Sequence, residues 1–274
     1  GEETYDKYSE SSKYTFIQSD LSKEQLGIDN DIWKDLGENI DLIIHAGAYV
    51  HSILPYSTLK PTNVNGTLEL IKLCCFGKPK VFHFVSTAGL LHGISDEKKE
   101  EPMESFHPML EGIGGYSQSK WVAERLLNEA HKRGLRCSIS RPSRISPHSI
   151  TGLWNPIDYM ILVWRGLILM KRYPVSSHVK WNLSAVDYVS EAIIEIIIDT
   201  NHEQNELPKT FNINNPVDIV PMDDLISWSK EIGYELYYLE YSNWSKNLSS
   251  LDKSNPLYTL KEFFQRAPSF PHSD

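Results

Sequence analysis

Short continuous apolar runs alternate with longer amphipathic stretches over the first half of the chain. The runs at 14–19 (YTFIQS), 40–44 (IDLII), 81–85 (VFHFV) and 135–140 (LRCSIS) have the length and residue types of buried strands. Between them, the stretch from about Asn63 to Cys75 and the one opening at Tyr116 carry apolar residues at helical spacing, and Gly134 supplies a stop for the second. Strands alternating with helices predict an α/β fold with a parallel sheet, and continuous apolar strands predict a sheet covered on both faces. After residue 150 the alternation breaks. Helices are predicted over 155–172, 185–199 and 221–233, with a short strand at 211–213 and a tail from Tyr234 rich in Tyr, Trp and Leu. The pattern therefore divides into a sheet core, 1–150 with 179–215, and a small, mostly helical unit, 151–178 with 216–274.

Composition narrows the classes. The chain has 274 residues, 41% of them apolar, enough for a sizeable core. A net charge of −9 argues against a partner held by phosphate contacts, so no nucleic acid is expected. The aromatic tail then reads as packing rather than as a base-stacking platform. No apolar run approaches the ~20 residues that span a bilayer, and the first residues, Gly1-Glu2-Glu3-Thr4, lack the regions of a secretory signal, so a cytoplasmic location is expected. Cys74, Cys75 and Cys137 have neither disulfide-framework nor metal spacing and read as buried, reduced core thiols. No metal is expected.

Candidate chemistry centres on Gly115-Tyr116-Ser117-Gln118-Ser119-Lys120. A tyrosine and a lysine four residues apart share one helix face. An ammonium near a phenol favours the phenolate and lowers the tyrosine pKa. Such a tyrosine can give a proton to a carbonyl oxygen while a hydride reaches the carbon, the chemistry of a carbonyl or acyl reductase. A second pair, Tyr56 and Lys60, has the same spacing, but Pro55 and Pro61 flank it and no helix is expected there. Tyr116 instead opens a long helical pattern downstream of a strand ending in Ser86-Thr87.

In parallel sheets ligands bind outside the carboxyl ends of the strands. Those ends carry Asp20, His45-Ala46-Gly47-Ala48, Ser86-Thr87 and Arg141-Pro142. Each has a plainer alternative: Gly47 as a turn glycine, Asp20 as a helix cap, His45 as a core histidine.

These segments resemble an extended short-chain dehydrogenase/reductase, and more narrowly the thioester reductase domains of nonribosomal peptide synthetases, polyketide synthases, aminoadipate reductases and carboxylic acid reductases. The likeness rests on Ser19-Asp20-Leu21-Ser22, His45 to Val50, Asn63 to Thr67, Val85-Ser86-Thr87, Gly115 to Lys120 and Arg141 to Ile145. Thr151 to Asp158, Ala185 to Val189 and Asn255 to Tyr258 complete it. The resemblance implies a Rossmann-like parallel sheet with a substrate-binding lid. It implies Thr87, Tyr116 and Lys120 as a catalytic triad. Asp20 and Leu21 would flank the adenine, and His45, Ala46, Gly47, Ala48 and Asn63 would lie along the cofactor. Lys120, Pro142 and Ser143 would stand near the nicotinamide ribose. NADPH is the implied cofactor and an acyl or peptidyl carrier protein with its phosphopantetheine arm the implied partner. The implied reaction is reductive release of the thioester to an aldehyde, which some members reduce again to an alcohol, by the terminal domain of a larger multienzyme acting as a monomer. Two other readings stand beside it: a sugar-nucleotide epimerase or dehydratase on the same fold, and a non-catalytic scaffold. The family's glycine-rich turn, G-x-x-G-x-x-G, is absent from residues 1–274, and Ser143 stands where the family usually has glycine. The sheet is accordingly expected to lack its first two strands, with 14–19 as the third.

Overall fold

Three of the early apolar runs become neighbouring strands in the computed structural model of the chain. It describes residues 13–51, 53–91, 100, 114–174, 179–199, 208–215, 219–267 and 270. β1 (Leu42–His45), β2 (Val81–Val85) and β3 (Arg136–Pro142) pair in that order, all parallel. Further along come β4 (Arg144–Ser146), β5 (Arg172–Tyr173), β6 (Lys180–Ala185), β7 (Lys209–Ile213), β8 (Ile219–Pro221) and β9 (Tyr237–Tyr238). β7 pairs parallel to the far side of β3, giving the order β1-β2-β3-β7. β4, β6 and β8 form a second, mixed sheet, and β5 pairs with β9. The longer helices are α1 (Asn30–Asn39), α2 (Tyr56–Lys60), α3 (Gly66–Cys75), α4 (Gly114–Lys132), α5 (Tyr159–Met170), α6 (Val186–Asp199), α7 (Met222–Glu231), α8 (Tyr241–Asn247) and α9 (Lys261–Arg266). Asp29 caps α1 by accepting from Asp31 N–H, and Asp158 caps α5 by accepting from Met160 N–H, each at 2.8 Å.

Strand alternation sorts the sheet's side chains. The register places Ile43, Phe82 and Cys137 side by side, and His45, Phe84 and Ile139 one step further. This face is buried under Leu70, Leu73 and Cys74 of α3, Ala123 and Leu127 of α4, and Trp33 of α1. The other face carries Leu42, Ile44 and His83. Ile44 is 43% exposed, so the cover expected on both faces is one-sided at β1.

Two expectations fail for identifiable reasons. Residues 14–19 form no strand, and Tyr14 and Phe16 are each 51% exposed; no neighbouring strand among the described residues pairs with this segment. The Tyr56–Lys60 pair does lie on a helix, because Pro61 does not end it. The chain passes through one wide π turn, Pro61–Asn65, closed by Gly66 N–H to Pro61 O, and continues as α3. A wider turn accommodates the ring and the missing N–H of a proline. The helix predicted from Asn63 thus begins at Tyr56. Cys75, expected in the core, is exposed, whereas Cys74 and Cys137 are buried thiols. The polar segment 95–102 (SDEKKEEP), whose composition predicts a solvated loop, falls, apart from Glu100, outside the described residues.

A second apolar cluster unites Met160, Val163 and Leu167 of α5 with Met222, Trp244, Leu248, Leu257, Phe264 and Phe270. It also takes in Val179 and Trp181, so β6, a strand not foreseen from the sequence, packs with this second group. Much of the aromatic tail is core here, although Tyr234, Tyr237 and Tyr238 are exposed. Trp244 is fully buried and its ring lies 5.3 Å edge-on to Phe264. Trp244→Ala is expected to cost about 3–5 kcal/mol through the lost transfer energy and the cavity left behind. Urea unfolding followed by far-UV circular dichroism measures it.

Candidate active site

The Tyr116 helix is seated by its glycines. A Cβ on Gly115 would lie 2.4 Å from Tyr56 N and 2.5 Å from Leu54 O, so only glycine lets the start of α4 abut that backbone. The same contact brings the backbone of the second tyrosine, Tyr56, beside the first. α4 then crosses the sheet with Lys120 pointed inward, 2% exposed. Lys120 Nζ donates to Val85 O at 2.8 Å and stands 4.5 Å over the Phe84 ring. Val85 is the last residue of β2, so the ammonium lies directly behind Ser86 and Thr87. Thr87 Oγ1 accepts from Gly89 N–H at 3.2 Å, opening the 3₁₀ turn Ala88–Leu91 and leaving the hydroxyl's own proton for another acceptor.

Burial controls the electrostatics. It pushes the Tyr116 phenol up to about 12, the reverse of the lowered value the Tyr–Lys spacing predicts. The ammonium is turned toward Val85 O and Phe84, and desolvation decides the phenol's state. Lys120 is itself pulled down to about 8 by burial, with Glu124 opposing.

Asn63 joins three segments. Its Oδ1 accepts from Tyr49 N–H at 2.7 Å, while its Nδ2 donates to Tyr49 O at 3.1 Å and to Ser119 Oγ at 2.9 Å. Ser119 Oγ in turn donates to Tyr116 O at 2.7 Å. The buried amide clamps the 45–49 loop to the Tyr116 helix. Neither the role of Ser119 nor this clamp was legible in the sequence, where the resemblance placed Asn63 along the cofactor.

The other predicted residues separate into lining and support. His45 is buried between α3 and the Phe82 and Phe84 rings, with Nε2 3.0 Å from Thr67 Oγ1. Desolvation drops its pKa to about 3, so the imidazole is neutral and the core reading holds for the ring. Ala46, Gly47 and Ala48 follow it beyond the end of β1. A Cβ on Gly47 would meet Leu21 Cδ1 at 2.9 Å, and one on Gly66 would meet Leu21 O at 2.7 Å. Leu21 is thus wedged between two glycines, which fixes the 20–21 turn against the strand ends. Asp20 folds that turn: its Oδ1 accepts from Ser22 N–H at 2.9 Å and from Ser22 Oγ at 2.7 Å. Pro142 ends β3. Ser143 N–H donates to Ile213 O at 2.8 Å, and its Oγ lies 3.0 Å from Ser184 Oγ. The ends of β1, β2 and β3, the loop after β1 and the start of α4 therefore share one edge of the sheet.

Comparison with known proteins gives this edge a context. The family described as male sterility protein, an NAD-binding family, matches residues 2–193. The chain is 33% identical to L-2-aminoadipate reductase of Saccharomyces cerevisiae over 276 aligned residues, 94% of this chain and 20% of that protein. It is 32% identical to the nonribosomal peptide synthetase asaC of Aspergillus flavus, across 92% of this chain and 25% of that one. The crystal structure of the terminal R domain from the myxalamid PKS-NRPS biosynthetic pathway superposes with a TM-score of 0.79 at 32% identity, covering 94% of this chain and 66% of that chain. The chain thus spans about a fifth to a quarter of the two curated relatives. With the Tyr–Lys helix seated on a parallel sheet and the match running from residue 2 to residue 193, the chain belongs to the male sterility family of NAD-binding domains.

Proposed function

We propose that the chain is the reductase domain of a larger protein and reduces a carrier-bound acyl thioester to an aldehyde with NADPH. One observation carries the reading: Lys120, buried on α4, reaches Val85 O immediately behind Thr87, with Tyr116 one helical turn before it. The residues fit the nicotinamide-ribose end of such a cofactor. Among the described residues Lys120 Nζ has three donors and one protein acceptor, and Ser86 Oγ at the same strand end is buried without a partner. The pyrophosphate end has no glycine-rich turn in residues 1–274. Pro142, Ser143 and the 45–48 loop would line the cofactor, and Asp20 with Leu21 would stand at its adenine.

A bound nicotinamide supplies the hydride that adds to the thioester carbon. Thr87 donates a hydrogen bond to the carbonyl oxygen as its charge grows. Tyr116, kept protonated by its buried site, gives that oxygen its proton, and Lys120 compensates the phenolate left behind. The hemithioacetal then loses the pantetheine thiol, leaving the aldehyde. The region 151–178 with 216–274, against which β6 packs, serves as the lid over the acyl chain, and the working unit is a monomer facing an acyl or peptidyl carrier domain. The likeness to aminoadipate reductase and asaC favours this over the sugar-nucleotide reading. The test is NADPH consumption by the full-length protein with an acyl-pantetheine thioester, with aldehyde and thiol appearing in equal amounts. Consumption only with a nucleotide sugar would replace the proposal.

A further inference from the structure

One turn beyond Lys120 lies a buried ion pair to which the reaction above gives no role. Glu124 follows Lys120 by four residues on α4, so the two side chains share a helix face. Arg141, next to last in β3, meets the carboxylate with two bonds: Nε–H donates to Oε1 at 2.9 Å and Nη2 to Oε2 at 2.6 Å. The two side chains are 0% and 1% exposed. Desolvating two ions costs several kcal/mol each, and an apolar pair of similar volume is often at least as stable. Stability alone is therefore a weak reason for this pair to stand where it does.

Its surroundings supply a better one. Lys120 is a buried cation whose direct contacts, Val85 O and the Phe84 ring, carry no net charge. The ionisable groups on the elements around it are few. β1 contributes His45, whose neutral ring is held by Thr67, and α2 contributes Tyr56, with Lys60 in solvent. α3 contributes Glu69, engaged with Lys72 and Gln25 N–H, while Cys74 Sγ donates to Lys80 O and Cys75 is exposed. β2 contributes His83 on the opposite face of the sheet, bonded to Ser138. β3 contributes the Arg141 cation, with Cys137 Sγ turned to Leu127 O and His131 and with Arg136 in solvent. On α4 the groups within about one turn of Lys120 are Tyr116 and Glu124; Arg125, Glu129, His131 and Lys132 lie further along the helix. Among the described residues Glu124 is the anion whose charge opposes the deprotonation of Lys120.

We infer that Glu124, oriented by Arg141, is a positioning residue that keeps Lys120 an ammonium and locks the Tyr116 helix to the end of β3. The inference rests on the reductase reading above. The pair ties α4, which carries Tyr116 and Lys120, to the residue before Pro142 and Ser143, so one strut fixes both sides of the site. Burial already draws Lys120 down to about 8. Loss of the Glu124 charge would remove the anion that favours the ammonium and leave the buried Arg141 cation without that carboxylate, and both changes act in the same direction, toward neutral lysine.

The test uses the full-length protein, with the Lys120 midpoint read from its ¹³Cε resonance in lysine-labelled protein and assigned through Lys120→Arg. Glu124→Gln is expected to lower the midpoint by about one pH unit or more. The basic limb of kcat against pH should move with it, so the loss is largest at high pH and smaller in mildly acidic buffer. Glu124→Asp keeps the charge and should keep the midpoint near the wild-type value while lowering kcat at every pH. The double variant Glu124→Gln/Arg141→Gln removes both charges and should fall between wild type and Glu124→Gln; it also serves if the single variant does not fold. Midpoints unchanged in both folded variants, with kcat reduced evenly across pH, would overturn the inference and leave a structural pair. A wild-type protein that reduces no thioester would overturn the proposed function instead, while the resonance still decides the role of Glu124.

Discussion

Replacing Tyr116 with phenylalanine is expected to lower thioester reduction by the full-length protein ~10²-fold or more, the usual range for losing a positioned proton donor. The ring would stay packed while its hydroxyl disappears, so stability and cofactor affinity should change little. The loss should fall on kcat rather than KM, because the proton is transferred only in the transition state. Tyr56→Phe is the control that the structure makes demanding. Tyr56 also starts a helix, is half-buried, and its backbone meets Gly115 at the start of the Tyr116 helix. Distance along the sequence therefore does not dismiss it. What separates the two is the lysine: Lys120 is buried behind Thr87, whereas Lys60 is exposed. Steady-state kinetics on both variants decide the matter. Near-normal turnover in Tyr116→Phe, or an equal loss in Tyr56→Phe, would remove Tyr116 from its role.

What the sequence disclosed, and what it hid, follow from the range of the forces involved. Local periodicity located β1, β2, β3, α4 and α6 to within a few residues, because burial on a sheet imposes a pattern that each segment carries by itself. Segments whose state depends on distant partners were misread. Residues 14–19 have the residue types of a strand, yet a strand exists only where a neighbour accepts its hydrogen bonds. Pro61 reads locally as a break, but the wide turn at 61–65 carries the helix through it. At the candidate site, spacing singled out Tyr116 and Lys120 and the strand ends singled out Thr87 as the residues proposed for the chemistry. The Asn63 clamp, the Leu21 wedge and the Glu124–Arg141 strut were silent, because each joins residues 14 to 56 positions apart through side chains. The sign of the Tyr116 shift was missed for the same reason: lysine spacing is visible in a sequence, and desolvation is not.

Residues 1–274 prepared as a separate polypeptide are expected to bind NADPH only at roughly millimolar concentration. A dinucleotide's pyrophosphate is ordinarily held by backbone N–H groups of a glycine-rich turn at a helix start, where the helix dipole favours negative charge. No such turn occurs in these residues. On the proposed reading the contacts left would be those at Lys120, Ser86, Pro142 and Ser143, with Asp20 and Leu21 at the far end. Removing ~4 kcal/mol from a micromolar site leaves a dissociation constant near one millimolar. The sheet carries a matching signature. Among the described residues β1 has a partner on one side only, its own Ile44 is 43% exposed, and Tyr14 and Phe16 are each 51% exposed. An open edge next to apolar side chains is prone to pair with another chain, so the same polypeptide is expected to self-associate as its concentration rises. Titration calorimetry with NADPH measures the affinity, and sedimentation velocity at several concentrations measures the association. A micromolar dissociation constant from a monomeric sample would place the phosphate contacts within residues 1–274 and overturn the assignment of a missing cradle.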